Sequence, residues 1–292
     1  MTELVWLVLR AAGFALLLQA AGAALFLAAF GTWLTDSAGA VRHTGRNTAI
    51  AALVVLAAQY LIEPVYMAGE WAGMTDVALH HLVLASATGA TLALRAAAMV
   101  AVVGGLASHG RAARAAAAAA GVVAVVGSFI LTGHTAVHPH RVLLAALLLI
   151  HLLCVVFWFG ALGPLRQVCA LEPRERAAHV LRMFSAAALW LVPLLALAGA
   201  GMAVLLLPDL AALLAPYGRL LLAKVALFAA LMALAALNRL RLVPALARGD
   251  PRATKRLRQS VAAEYLLIWV VLAVTAALTG LFSPVPADAG PA

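Results

Sequence analysis

Charge is scarce in this chain. Asp, Glu, Lys and Arg make up 11% of its 292 residues, 66% are hydrophobic and the mean hydropathy is +1.05, which excludes an ordinary soluble domain. Catalytic signatures are missing as well. No GxxxxGK[ST] and no phosphorylatable DKTG segment occurs, and no connection between apolar runs could fold a nucleotide domain, so pumping by ATP is excluded. Neither a Ser-His-Asp arrangement nor HExxH is present, and the chain is not read as an enzyme. The only two cysteines, Cys154 and Cys169, form no CxxC. Fifteen residues apart on one straight helix, they cannot join in a disulfide, and they leave the redox compartment open. The N-terminal MTEL carries an acid where a signal peptide carries positive charge, and the run behind it is too long for an h-region. It reads as a retained first span.

What remains is apolar sequence. A span needs about 20 mostly apolar residues, and that ruler places helices near 4–34, 48–68, 77–107, 113–134, 141–165, 180–207, 217–240 and 258–283. The expected fold class is all-α: a polytopic integral membrane protein, about eight transmembrane helices in one bundle, with lipid as its main partner. Pro139, Pro173, Pro208, Pro216, Pro251 and Pro284 fall at or near span ends. Residues 285–292 read as a frayed tail.

The net charge of +9 could suggest nucleic acid, but its distribution argues against it. Fifteen of the twenty Lys and Arg sit in or at the edges of the connections after spans 1, 3, 5 and 7, the last holding Arg239, Arg241, Arg248, Arg252, Lys255, Arg256 and Arg258. Positive connections stay in the cytoplasm, so both termini and the even connections are expected to be extracytoplasmic.

One internal echo stands out. Arg95 follows Gly89 by six residues in 89-GATLALR-95, and Lys224 follows Gly218 by six in 218-GRLLLAK-224. A four-plus-four duplication would produce this, giving halves 1–134 and 135–284 of a single membrane domain. Chance matching of small residues in such a composition is the alternative. A cation at this depth costs about 2.5–3.5 kcal/mol on insertion scales, so Arg95 and Lys224 are expected to face protein or water, or to snorkel outward. Glu63 is expected to pair with Arg95 or Lys224, and Glu264 to answer Arg239 and Arg241.

Three histidines, His134, His138 and His140, lie within seven residues in 133-GHTAVHPHR-141. The same extracytoplasmic face would carry Met67, Met74, His80 and His81. Imidazole suits copper in either oxidation state and thioether selects Cu(I), so this gathering is a copper signature more than a zinc one. A lone membrane Met is more often packing, a loop His more often merely solvated, and at most one of His80 and His81 can face a given site. Deeper in span 5, His151, Cys154 and Trp158 share one helical face. A buried His can simply bond a carbonyl, but with Cys154 beside it ligation is the better reading.

These segments together resemble the CopD family of copper-resistance membrane proteins. The likeness runs through 131-LTGHT-135, 151-HLLCVVFWFGALGPL-165, 183-MFSAAAL-189, 217-YGRLLLAKVALF-228, 238-NRLRLVPAL-246 and 257-LRQSVAAEYLL-267. It covers spans 3 to 8 well and the first two in outline. The family's acid just before its histidine is absent from 147-LLLI-150, and its second turn glycine is Ala161 here. The resemblance carries over His134 and His151 as motif positions, with Tyr217, Gly218, Lys224, Asn238 and Glu264 as structural positions. It does not carry His138, His140, Cys154 or Met67.

The resemblance implies copper handling at the bacterial inner membrane, commonly movement from periplasm to cytoplasm, alongside a separate periplasmic CopC-type carrier. The expected metal residues are His134, His151, His138, His140, His80, His81, Cys154 and Met67, with Cu(I) favoured over Cu(II). Two other readings stay open. One is a copper-delivery or assembly factor without transport. The other is a haem-binding electron-transfer protein, since histidines in helical bundles also ligate haem.

Overall fold

A computed structural model of the chain describes residues 2–108, 110–131, 139–207, 209 and 211–280. Among these residues the architecture is wholly helical, and eight helical segments are long and apolar enough to cross a membrane. Helix α1 spans Thr2–Phe30 and α2 spans Ala38–Ala68; a short α3 over Val77–Ala85 precedes α4, Ala87–Ala107, and α5 spans Arg111–Ser128. Helix α6 covers Arg141–Leu171, α7 Arg174–Leu206 and α8 Pro216–Leu237. A π-helical turn over Asn238–Leu242 joins α8 to the short α9, Val243–Ala247, and α10 closes the bundle over Ala253–Gly280.

Helix α1 is the hub. It is apolar on every side and rich in Ala and Gly, so it can be enclosed all round, and it packs against α2, α4, α5, α6 and α10. Its closest approach is to α6. A Cβ on Gly22 would stand 2.4 Å from the Gly160 Cα, and one on Gly160 would stand 2.2 Å from the Gly22 Cα. Only glycine at both positions lets the two backbones touch, the usual device for close helix packing in lipid. Gln19 adds a hydrogen bond there, its Nε2 donating to the Gly160 carbonyl at 3.2 Å. Helices α7 and α8 lie at the periphery, and side chains such as Trp190, Leu197, Val204 and Val225 point outward. In water such apolar exposure would be a liability; in a bilayer it is the expected surface.

Hydropathy located every span but misjudged ends. The run expected over 77–107 is broken at Ser86, whose backbone is extended and whose Oγ donates to the Val83 carbonyl at 2.7 Å while accepting from the Gly89 N–H at 3.3 Å. A cap made by one hydroxyl restarts the helix without changing hydropathy. At the other end of the bundle, α6 and α7 run on to Leu171 and back to Arg174, past their apolar stretches. The π turn has its own cause. Pro244 lacks an N–H and its ring crowds the carbonyl of Leu240, and the backbone adapts by a wider turn in which the Val243 N–H reaches the Asn238 carbonyl.

The two ends of the bundle differ. Gly280, ending α10, sits beside the rings of Trp6 in α1, so both described termini lie at one end. The opposite end carries the arginine-rich connections and a carboxylate clamp. Glu172, between α6 and α7, accepts from the Thr35 N–H at 2.9 Å, the Asp36 N–H at 3.0 Å and the Ser37 N–H at 2.9 Å. Hydroxyls add to these: Thr35 Oγ1 at 3.0 Å and Ser37 Oγ at 2.6 Å. Arg176 completes the clamp with an ion pair at 3.4 Å. Desolvation pushes the Glu172 carboxyl up, but the bonds from Ser37 and Thr35 outweigh it and hold the group at about 2.

Candidate metal centre

Helix α6 enters from the end that carries the termini, and His151 stands ten residues inside it, about 15 Å along the axis. Its ring lies on α7 beside Gly199, with the Leu195 backbone as a hydrogen-bonding contact of the imidazole. The Nδ1 atom is buried and has no hydrogen-bond partner among the described residues. A Cβ on Gly199 would come within 3.6 Å of both Cε1 and Nδ1, so the absent side chain is what leaves space at that edge of the ring. Cys154, three residues on, is buried at 2% exposure with a free thiol, and Trp158 one turn further is buried as well. The face that the spacing indicated therefore turns inward. Lys224 of α8 lies within coulombic range of His151 and has no ion-pair or hydrogen-bond partner among the described residues.

The remaining expected ligands are distributed unevenly. His134 and His138 lie outside the described residues. His140 is exposed at the start of α6, where its carbonyl accepts from the Leu144 N–H at 3.0 Å. His80, on α3, is half-buried and engaged at both ring nitrogens: Nδ1 lies 3.1 Å from the Tyr60 hydroxyl and Nε2 2.9 Å from the Met74 carbonyl. His81 and Met67 are exposed. Helix α3 packs on α2 and α4, while the His151 face of α6 meets α7. Among the described residues no three His, Cys, Asp or Glu side chains gather closely enough to hold a metal ion.

Two expected ion pairs are corrected. Glu63 pairs with neither Arg95 nor Lys224; the Trp6 indole donates to its Oε2 at 3.0 Å, and Arg10 is the cation within its electrostatic reach. Helices α1 and α2 pack side by side, which brings the start of α1 to the end of α2. Arg95 is held instead by Ser128 Oγ at 2.9 Å and lies 4.5 Å over the Phe129 ring and 6.0 Å from the Phe14 ring. Glu264 is likewise not paired with Arg239 or Arg241. Arg239 donates to the Ser185 carbonyl at 2.7 Å, and Glu264 takes the amide of Asn238 at 2.5 Å, with the Trp158 indole N–H directed at the same carboxyl.

Sequence reading passed over Arg10, Gln19 and Glu172. The depth argument applied to Arg95 applies equally to Arg10, which lies well inside the first apolar run, so that signal was available. Glu172 gave none, because its partners lie far away in the chain.

The echo between spans 3 and 7 has a counterpart in the backbone. A Cβ on Gly89 would stand 2.3 Å from the Val83 carbonyl oxygen, and one on Gly218 2.3 Å from the Ala212 carbonyl oxygen. Each glycine lies three residues after an extended capping residue, Ser86 or Ala215, and each packs back on the short helical turn before it.

Among known proteins, the family model described as CopD, copper resistance protein D, matches residues 178–278. No curated protein and no solved structure matches the chain. The matched segment takes in most of α7, the whole of α8 and α9 and nearly all of α10, and so includes Lys224, Asn238 and Glu264 but neither His151 nor Cys154. The eight membrane-length helices make the chain a multi-pass membrane protein, and its segment 178–278 is similar to the CopD family of copper resistance proteins.

Proposed function

We propose that this protein moves copper across the membrane without ATP, from the face that bears its termini toward the arginine-rich face. The unpartnered, buried Nδ1 of His151, with the buried Cys154 thiol three residues on along the same helix, carries this reading. A buried imidazole nitrogen left without a hydrogen bond is costly unless something occupies it, and an imidazole with a thiolate one turn away suits Cu(I). His134 is the proposed capture ligand, assisted by His138, His140, His81 and Met67. His80 joins only by giving up its bond to Tyr60 or to Met74. Sites of few soft ligands pass Cu(I) on by ligand exchange, which suits transfer better than a closed four-ligand site. The charge distribution supports termini in the periplasm, where a separate CopC-type carrier would deliver the ion. The matching glycine contacts at Gly89 and Gly218 support a four-plus-four duplication.

The test is a Cu(I) titration of the purified protein with a competing chelator. The expected result is loss of the tight site in a His134→Ala/His151→Ala double variant. Unchanged stoichiometry and affinity would remove the proposed centre. Copper uptake into proteoliposomes separates transport from delivery to another membrane protein.

A further inference from the structure

Deep in the bundle lies a second polar cluster that the copper reading does not use. Glu264 stands eleven residues into α10, about 16 Å from its start, and is 3% exposed. One turn earlier on the same face, Ser260 is 8% exposed, and its Oγ is buried with no hydrogen-bond partner among the described residues. Asn238, at the first position of the π turn, gives its Nδ2 to Glu264 and leaves its Oδ1 buried and unpartnered. With the Trp158 indole N–H also directed at the Glu264 carboxyl, the cluster holds a carboxylate, an amide oxygen and a hydroxyl, the last two without partners among the described residues.

Charge makes this lack of partners sharper. The elements packed with α10 at this end carry Arg239 and Arg241 on the π turn and Cys169 on α6, and α10 itself carries Arg258 and Tyr265. None forms an ion pair with Glu264 among the described residues. Arg239 is committed to the Ser185 carbonyl, and Arg258 acts on Cys169. A carboxylate at this depth with only neutral donors is expensive, and unpaired acceptors beside it add to the cost. Binding a cation meets both deficits. All-oxygen donors select a hard ion over a soft one, which separates this cluster from the copper ligands.

We propose that Glu264, Asn238 and Ser260 form a binding site for a small, hard monovalent cation, a proton or a sodium ion. As a coupling ion for copper movement it rests on the proposed function; its occupancy does not.

Infrared spectroscopy of the full chain in lipid, without copper, reads the site directly. At neutral pH the expected signal is either a protonated carboxyl stretch (the proton arm) or a carboxylate band that moves when choline chloride is replaced by sodium chloride (the sodium arm). The signal is expected to vanish in Glu264→Gln. Ser260→Ala, which keeps the carboxylate, guards against a misfolded Gln variant; it is expected to weaken sodium half-saturation about fivefold or to shift the carboxyl stretch. An ionised carboxylate band indifferent to sodium, with no protonated stretch, would overturn the proposal. So would a Glu264-dependent signal unmoved by Ser260→Ala. Because copper is absent throughout, loss of the copper site alone leaves this result intact.

Discussion

At His151 a single missing methyl group separates an open ring edge from a closed one. Gly199→Ala would place a Cβ at 3.6 Å from Nδ1, an ordinary contact that strains nothing yet fills the space a metal would use. We therefore expect this variant to fold at least as well as the parent, since Ala favours helix over Gly by about 0.5–1 kcal/mol. Its Cu(I) affinity should fall at least about tenfold, as read by chelator competition. Equal affinity would mean that copper does not reach Nδ1. Glu172 makes a prediction of another kind. Its carboxyl is held at about 2 against an ordinary 4.5, so the charged form belongs to the folded state. The stabilisation is full above the unfolded value and is lost as pH falls toward 2. At neutral pH it is present in full. Thermal unfolding of the parent should weaken steeply between about pH 4.5 and 2, and Glu172→Gln should be less stable at neutral pH and nearly flat across that window. The two residues differ in legibility. His151 and Cys154 could be read together because helical spacing fixes which side chains share a face. Glu172 could not, because its clamp is built from backbone N–H groups of a connection far away in the chain, which no side-chain pattern announces.

At the scale of elements, spans are legible because each must carry its own apolar length. Their junctions are not. The break at Ser86 depends on one hydroxyl, and the π turn at Asn238 on one proline six residues on; neither alters a hydropathy average. Partner choice between helices was also hidden. Glu63 meets α1 through Trp6, and Glu264 meets the end of α8 through Asn238, whereas charge arithmetic alone pointed to arginines. The α1–α6 contact gives the clearest test of packing. Gly160→Ala would set a Cβ 2.2 Å from the Gly22 Cα, a clash that only backbone movement relieves. Destabilisation of at least about 1–3 kcal/mol is expected in steric-trapping or denaturant unfolding. Gly104→Ala, with nothing within 4 Å of the added atom, is the control and should be neutral or slightly stabilising. A tolerated Gly160→Ala would show that α1 is not the tightly held hub.

For the whole molecule, composition announced a helical membrane bundle, and the arginine-rich connections collected at one end of it. Which end faces the cytoplasm is the prediction at this scale. Cysteines placed at Glu70 and at Asp250, in a background lacking Cys154 and Cys169, should react differently with an impermeant thiol reagent in intact cells. Glu70→Cys should label from outside, and Asp250→Cys only after permeabilisation. The reverse pattern would invert the proposed direction of copper movement. The central claim is that nitrogen and sulfur from this bundle hold Cu(I), and X-ray absorption at the copper edge of the loaded protein tests it most directly. The account predicts a shell of light scatterers from imidazole plus one sulfur, with the sulfur lost in Cys154→Ser and the nitrogen shell altered in His151→Ala. A copper shell built from oxygen, or one that both variants leave unchanged, would contradict it.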